Sequence, residues 1–252
     1  MKRMLTILLA ALLLYTAALA EDVALSPELT AQKLAVAALH DQYGLTMTSL
    51  GLFAVDVLSE GDARVVHYRP HSYLPVERIG EYTVRVQSGQ AEAVWTHDSA
   101  DAAQWQSADM NSPAWGEAQL QAILAAGGTG WLAPYYTTDE DPAEPPSLYD
   151  RLAFHRHSTD AEELPAGLGL EKALTRTEAL RLADAALTAV YGLTDADVAA
   201  MDHNMDAYYL TLTDGRVLWD LNIADSSCGF IVLVDAASGE VFHIDLFTGG
   251  NG

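Results

Sequence analysis

The chain has 252 residues, 35 of them Asp or Glu and 13 Lys or Arg, which gives a formal net charge of −22. A field of this sign repels nucleic acids and anionic membrane or wall polymers, because their recognition requires clustered Lys and Arg. Hydrophobic residues make up 50% of the chain, which excludes global disorder and suffices for one or two packed cores.

The first twenty residues have the pattern of an export signal. Lys2 and Arg3 precede an apolar run, and Ala18 to Ala20 form a small-residue cleavage site. The run is short and interrupted by polar residues, which favours cleavage over a retained membrane anchor. We therefore expect residues 1–20 to be removed and the mature protein to be secreted, with 11 basic and 35 acidic residues and a net charge of −24.

One stretch of the sequence occurs twice. The letters AVAALHDQYGLT occupy residues 35–46, and ADAALTAVYGLT occupies residues 183–194. Over the wider window of residues 31–46, ten of sixteen positions are identical to those 148 residues later, which indicates an internal duplication.

Each copy begins with a predicted helix. Its recurring alanines and leucines have the three-and-four spacing of one helical face. Ser26, which a proline follows, and the capping-box pair Thr175 and Glu178 predict the two starts. Gly44 and Gly192 predict the two ends, because a positive φ closes a helix there without a Cβ clash.

Four antiparallel strands are predicted after each helix, because alternating runs are separated by turn residues such as Asp214-Gly215. Strand alternation places Tyr82, Trp95, Phe230 and Val232 in the core. The second copy's FIVLV is apolar on both faces and predicts a central strand, or one packed between the copies. The predicted hairpins comprise residues 52–69 and 81–95 in the first copy and 207–223 and 229–243 in the second.

Residues 99–172 are not duplicated and form a predicted connecting segment. Helices are predicted over residues 113–127 and 147–157, on either side of a loop rich in proline and acid. Its aromatic residues are too numerous for a mere linker, so we expect the segment to dock on at least one sheet. The aromatic residues are Trp105, Trp115, Trp131, Tyr135, Tyr136 and Tyr149.

The predicted fold class is therefore α+β. Two units, each a helix followed by a four-stranded antiparallel sheet, occupy residues 21–98 and 173–247, with a short tail at 248–252. Each unit is near the lower size limit for independent folding, so pairing of the two units or covering of their outer faces would stabilise both.

The alanine-rich helix ending in YGL and the later hairpin LVDAASGEVF resemble the PepSY domains of bacterial exported proteins, which also occur in propeptides of thermolysin-like metallopeptidases. The resemblance covers about residues 27–97 and 173–247 and is closer in the second copy. It implies a non-catalytic module that binds or restrains peptidases or acts in the cell envelope. The tandem layout is also similar in architecture to bacterial β-lactamase inhibitor proteins.

No local motif predicts a catalytic, cofactor-binding or metal-binding residue. Asp235 and Glu240 flank a turn, where a capping Asp and a solvated Glu are the ordinary interpretation. Residues 202–206 begin like a calcium loop, but Ala207 and Thr213 occupy the positions of its Gly and its Glu. A solvated loop is therefore predicted there.

The histidines and the single cysteine do not form a recognisable motif either. His155 and His157 are two apart, on different faces of the predicted helix, and no H-E-x-x-H occurs, so zinc is not predicted. His67, His97 and His243 could meet only through the fold, and a spatial Ser-His-Asp cluster stays open. The segment GGTGW at 127–131 lacks the Lys and the Ser/Thr of a phosphate loop. Cys228 cannot form an intramolecular disulfide and is predicted to be a buried, inert thiol.

These patterns favour a secreted, non-enzymatic protein-binding module whose partner, a peptidase for example, has a basic or neutral surface. Binding is expected at an open sheet edge and is expected to weaken as salt rises. Two alternatives stay open: a hydrolase with a site assembled from distant residues, and a metal-stabilised envelope protein, whose melting temperature a chelator would lower. The acidic charge serves either partner attraction or only solubility.

Overall fold

The computed structural model describes residues 23–70, 80–96, 153–203, 207–225 and 228–248. In these ranges the helices are α1 (Pro27–Tyr43), α2 (Met47–Leu50), α3 (Arg176–Tyr191) and α4 (Asp195–Ala199). The strands are β1 (Phe53–Glu60), β2 (Ala63–Pro70), β3 (Glu81–Gln87), β4 (Gln90–Thr96), β5 (Phe154–Thr159), β6 (Ala207–Leu212), β7 (Val217–Ala224), β8 (Cys228–Asp235) and β9 (Val241–Thr248).

The strands form two antiparallel sheets, with the orders β1-β2-β3-β4 and β5-β6-β7-β8-β9. The α+β class is therefore confirmed. The predicted hairpins begin and end within one residue of the observed strands, except that β9 continues to Thr248, five residues beyond the predicted end at residue 243. The match between the copies is not complete. The second sheet has an additional strand, β5, and β8 and β9 shift register between Leu233 and Val234.

Both predicted helix ends are confirmed by their geometry. Gly44 and Gly192 have φ values of 68° and 69°, and the Gly44 amide donates to the His40 carbonyl at 2.9 Å. At the start of α3, Thr175 and Glu178 form the expected reciprocal capping box. These contacts satisfy backbone groups that a helix end otherwise leaves unpaired.

The threonine of each YGLT begins a second short helix, which was not predicted. Thr46 accepts a hydrogen bond from the Ser49 amide at 3.3 Å and begins α2. Thr194 begins α4 in the same way, in a capping box with Asp197. The duplicated motif therefore ends one helix and begins the next, because Ser and Thr are preferred at helix N-caps.

The predicted helix over residues 147–157 is wrong where the structure describes it. Phe154–Thr159 form β5, which pairs with β6 in the register Phe154↔Leu212. The segment alternates between two faces, and pairing with β6 supplies hydrogen-bond partners that a short helix would have to find internally. His155 and His157 therefore lie on the same face of a strand. The predicted 113–127 helix, the GGTGW segment and the connecting segment's aromatic residues lie outside the described residues.

The buried core draws on both copies. Leu39 of α1 and Leu187 of α3, which are 148 residues apart, are both 0% exposed and belong to one hydrophobic cluster. The four residues predicted to be core are buried, as is Cys228 at the start of β8. A second cluster, formed by Leu210, Leu212, Leu218 and Leu233, covers the other face of the second sheet. The sheet is thus apolar on both sides, as FIVLV predicted.

Polar contacts also join the two copies. The Gln32 amide of α1 donates to the Tyr191 hydroxyl at 2.9 Å and to the Ile244 carbonyl at 3.2 Å. The segment before α1 pairs with the start of β9, where the Ser26 amide donates to the Val241 carbonyl at 3.0 Å. Among the described helices, none is long and apolar enough to cross a membrane.

Candidate functional site

Of the three histidines that only the fold could bring together, His67 and His243 are described, and they contact different residues. His67 Nδ1 lies 3.2 Å from the Thr83 hydroxyl, and His243 Nε2 lies 3.1 Å from a carboxylate oxygen of Asp245. His97 lies outside the described residues. His157 stacks on Tyr209, with ring centroids 4.7 Å apart. Each of these contacts is local to its own ring, and together they build no shared site.

The predicted solvated loop at residues 202–206 is more ordered than expected in its described part. The Asp202 amide donates to the Ala224 carbonyl at 2.7 Å, which pairs this loop with the last residue of β7. His203 Nε2 lies 2.8 Å from Asp184 Oδ1, and its other ring nitrogen lies 3.0 Å from the Met201 carbonyl. Within the described ranges, no group of three or more His, Cys, Asp or Glu residues is arranged to hold a metal.

Asp184 has a perturbed pKa, which predicts a specific dependence of stability on pH. Burial raises its pKa above the usual value, and the His203 contact opposes part of that rise. The folded state therefore binds this proton more tightly than the unfolded state, so stability is lost as pH rises through the raised pKa. Because Asn cannot ionise, Asp184→Asn gains unfolding free energy relative to the wild type as pH rises past the ordinary Asp pKa of 3.8, measured by urea denaturation.

Asp197→Asn is a control for which the expected change of unfolding free energy with pH has the opposite sign. Hydrogen bonds from Thr194 lower the pKa of Asp197, so the stability that its carboxylate contributes is present at higher pH and lost on acidification. This variant loses unfolding free energy relative to the wild type as pH rises. A pH-independent difference for Asp184→Asn contradicts the effect of burial on that carboxyl.

The three His–Asp contacts in the described part of the chain are His40–Asp41, His203–Asp184 and His243–Asp245. None of these imidazoles has a serine hydroxyl as a hydrogen-bond partner among the described residues. A nucleophile and its base must lie within hydrogen-bond reach, so none of these pairs forms a Ser-His-Asp triad there.

The turn between β8 and β9 has the structural role predicted for it. Asp235 Oδ1 accepts hydrogen bonds from the Ala237 amide at 3.0 Å and the Ser238 amide at 2.8 Å. Gly239 has a φ of 78°, and Glu240 is half-buried rather than fully solvated. This hairpin is a self-capped turn of the kind that Asp and Gly favour.

A charged cluster lies on the outer face of the second sheet. Arg156 of β5 donates from Nε to Asp220 Oδ2 at 2.8 Å, and its guanidinium lies 3.7 Å from the centre of the Tyr208 ring. The Asp220 side chain is 0% exposed, whereas that of Arg156 is 42% exposed. The cluster fastens β5 to β6 and β7 through side chains as well as through backbone pairing.

The outer edge of β4 is occupied by side chains from the end of α1. The Ala93 carbonyl accepts a hydrogen bond from Gln42 Nε2 at 3.0 Å, and the Trp95 amide donates to the Tyr43 hydroxyl at 3.1 Å. The Tyr43 hydroxyl also donates to the Ala93 carbonyl at 3.4 Å. Burial raises the pKa of Tyr43, which keeps this phenol neutral and able both to donate and to accept. An added strand would have to displace these contacts.

The edge of β9 is occupied as well. The Val241 amide donates to the Ala24 carbonyl at 2.8 Å, and the Ser26 hydroxyl donates to the Phe242 carbonyl at 2.9 Å. Strand β1 lies beside β9 and brings the facing edges of the two sheets together. Neither edge of this junction is accessible to a partner along its full length.

The outer edge of β5 differs from the other edges. In the described part of the chain, β5 pairs only with β6. The Thr213 amide donates to the directly opposite Ala153 carbonyl at 3.0 Å, and the register makes His155 and His157 the next hydrogen-bonded positions. The backbone groups of Arg156 and Ser158 therefore point away from β6, towards a side on which no described strand pairs with β5.

Comparison with protein-family models, curated proteins and solved structures gives no significant match.

Proposed function

We propose that this chain is a secreted, non-enzymatic protein-binding module that takes an extended segment of its partner as an added strand on β5. The observation that carries the proposal is the hydrogen-bonding direction along β5. Arg156 and Ser158 present backbone donors and acceptors on the side away from β6, where no described strand lies, and a partner's main chain can pair with such groups. Specificity comes from side chains on either side of the added strand.

The resemblance of both copies to PepSY domains favours a peptidase as the partner. An extended segment near a peptidase cleft is a suitable added strand, because proteins that restrain peptidases present or capture extended chain. The net charge of −22 favours a partner with a basic surface and speeds the encounter at low salt. Association therefore weakens as ionic strength rises.

Proline substitution on β5 tests the proposed mode of binding. Ser158→Pro removes an amide that faces away from β6, so the sheet keeps its ladder while strand addition is blocked. We expect capture of purified exported peptidases to be lost with Ser158→Pro and kept with Ser158→Ala, at low ionic strength. His157→Pro is the matched structural control, because it removes an amide that pairs with β6 and lowers stability.

Hydrogen exchange of the complex locates the contact on the chain and can contradict strand addition at β5. Strand addition protects the amides of Arg156 and Ser158, which point outward in the free protein. Equal capture by wild type and Ser158→Pro, or new protection on β4 and not β5, contradicts the proposal. Inhibition of the captured peptidase distinguishes restraint from simple attachment.

A further inference from the structure

A groove of about 380 Å³ lies where the two copies meet. It runs along α1 and is closed by α2 on one side and by the last turn of α3 on the other. Both copies of the YGL motif contribute to it. The groove is lined by Lys33, Val36, Ala37, His40, Asp41, Leu45, Met47, Leu50, Ala189, Val190, Tyr191 and Gly192.

The floor of the groove is apolar and firmly held. Leu45, Leu50 and Val190 are at most 4% exposed and belong to the shared core. Ala37 and Gly192 line the opening and add almost no side-chain volume, which leaves the space above the floor empty. A preformed apolar groove of this volume is large enough to bind a ligand or a few side chains of a partner.

The rim of the groove has a positive side chain near one end and a negative side chain near the other. Lys33 and Asp41 are eight residues apart on α1, which corresponds to about 12 Å along the helix. The Asp41 side chain is 83% exposed, beside the exposed His40. A segment in the groove therefore meets an ammonium group near one end and a carboxylate near the other.

The end of α3 adds negative character to the same groove. The Gly192 amide donates to the Thr188 carbonyl at 3.0 Å, and no described residue donates a hydrogen bond to the three carbonyls that follow Thr188. Such carbonyls give a helix C-terminus a partial negative charge, which favours a nearby cation. A net charge of −22 acts in the same direction.

The net negative charge of the chain favours a basic protein segment in the groove over a second copy of the chain or a nucleic acid. A second copy of this chain has the same net charge and is repelled, and nucleic acid is repelled by the same field. A basic protein segment satisfies both parts of the groove, because its apolar side chains cover the floor while its cation lies at the Asp41 carboxylate.

We infer that the groove binds an apolar segment of a partner protein that carries a Lys or Arg at the end lying against Asp41. This contact is separate from strand addition at β5, because it involves α1, α2 and α3 and none of the residues of β5. A partner that uses both surfaces gains avidity from their linkage.

Synthetic peptides test the inference without the natural partner. The probes are three peptides with the same Leu/Ala run and with Arg, Gln or Glu at one end. We expect the Arg peptide to bind most tightly and to shift the ¹³C-methyl signal of Met47, which lines the groove, but not that of buried Met201. Asp41→Asn reduces the preference for Arg over Gln by about two- to five-fold, the range of an exposed ion pair.

Two further variants make the test specific. Ala37→Phe fills the groove from an exposed position and abolishes binding of all three peptides, with circular dichroism confirming the fold. Asp62→Asn removes the same charge from the exposed β1–β2 turn and leaves the Arg preference unchanged. The inference is overturned if no peptide shifts Met47, if Ala37→Phe binds normally, or if Asp62→Asn acts like Asp41→Asn. Each of these results is independent of whether Ser158→Pro blocks strand addition.

Discussion

Leu39→Ala lowers the free energy of unfolding by about 2 to 5 kcal/mol, the range for truncation of a fully buried leucine. The substitution destabilises both sheets together. Leu39 is 0% exposed and belongs to the cluster that both copies share. Hydrogen exchange measures the two sheets separately, through the amides of Val84 in β3 and Val232 in β8. A common core predicts that both amides lose protection by the same factor.

Leu58→Ala is the matched control for this substitution. Leu58 is 37% exposed at the surface of β1, so its truncation changes stability by only about 0.5 kcal/mol or less. A loss of protection that is confined to β3 in Leu39→Ala contradicts a shared core, since it means that the two sheets unfold independently.

Arg156→Met lowers the free energy of unfolding by about 1 to 3 kcal/mol. Breaking a buried ion pair typically costs about 3 to 5 kcal/mol, because an uncompensated charge stays buried. The lower range is expected here, since the Arg156 side chain is 42% exposed and its interaction is partly screened, whereas Asp220 is 0% exposed. Urea denaturation measures the loss, and combining the change with Asp220→Asn recovers part of it.

Arg85→Met is the comparison with an exposed ion pair. Arg85 contacts Glu60 at the same 2.8 Å, but the two side chains are 47% and 54% exposed, whereas Arg156 contacts a buried carboxylate and also lies over the Tyr208 ring. Loss of the exposed pair costs about 0.2 to 1 kcal/mol. Equal losses for the two arginine variants contradict the assigned role of Asp220.

The elements of each copy were predictable because their signals are local. A glycine after an apolar helical face ends α1 and α3, and Asp214-Gly215 joins β6 to β7, as expected from turn chemistry. Strand parity likewise placed Trp95 and Phe230 in the core. Each of these features depends on neighbours within a few residues.

The surfaces proposed to bind were not predictable in the same way. Strand β5 was expected to be helical, although Arg156 and Ser158 alternate with His155 and His157 as they do in a strand. Its conformation depends on the edge of β6, which follows it by about fifty residues, so no local pattern decides it. The groove depends on how α3 ends against α1, and a duplication alone does not determine how its copies pack.

The pairing of Ser26 with β9 determines when the chain can complete its fold. The Ser26 hydroxyl caps α1 and also bonds the Phe242 carbonyl, 216 positions further along. During synthesis or export the chain emerges from its N-terminus, so α1 acquires this partner only after nearly all other elements have emerged. Contacts of such long range slow folding. The first copy emerges early and cannot complete its packing until β9 has emerged. Until then the apolar face of α1 is incompletely covered, and a holding chaperone has its greatest effect in that interval.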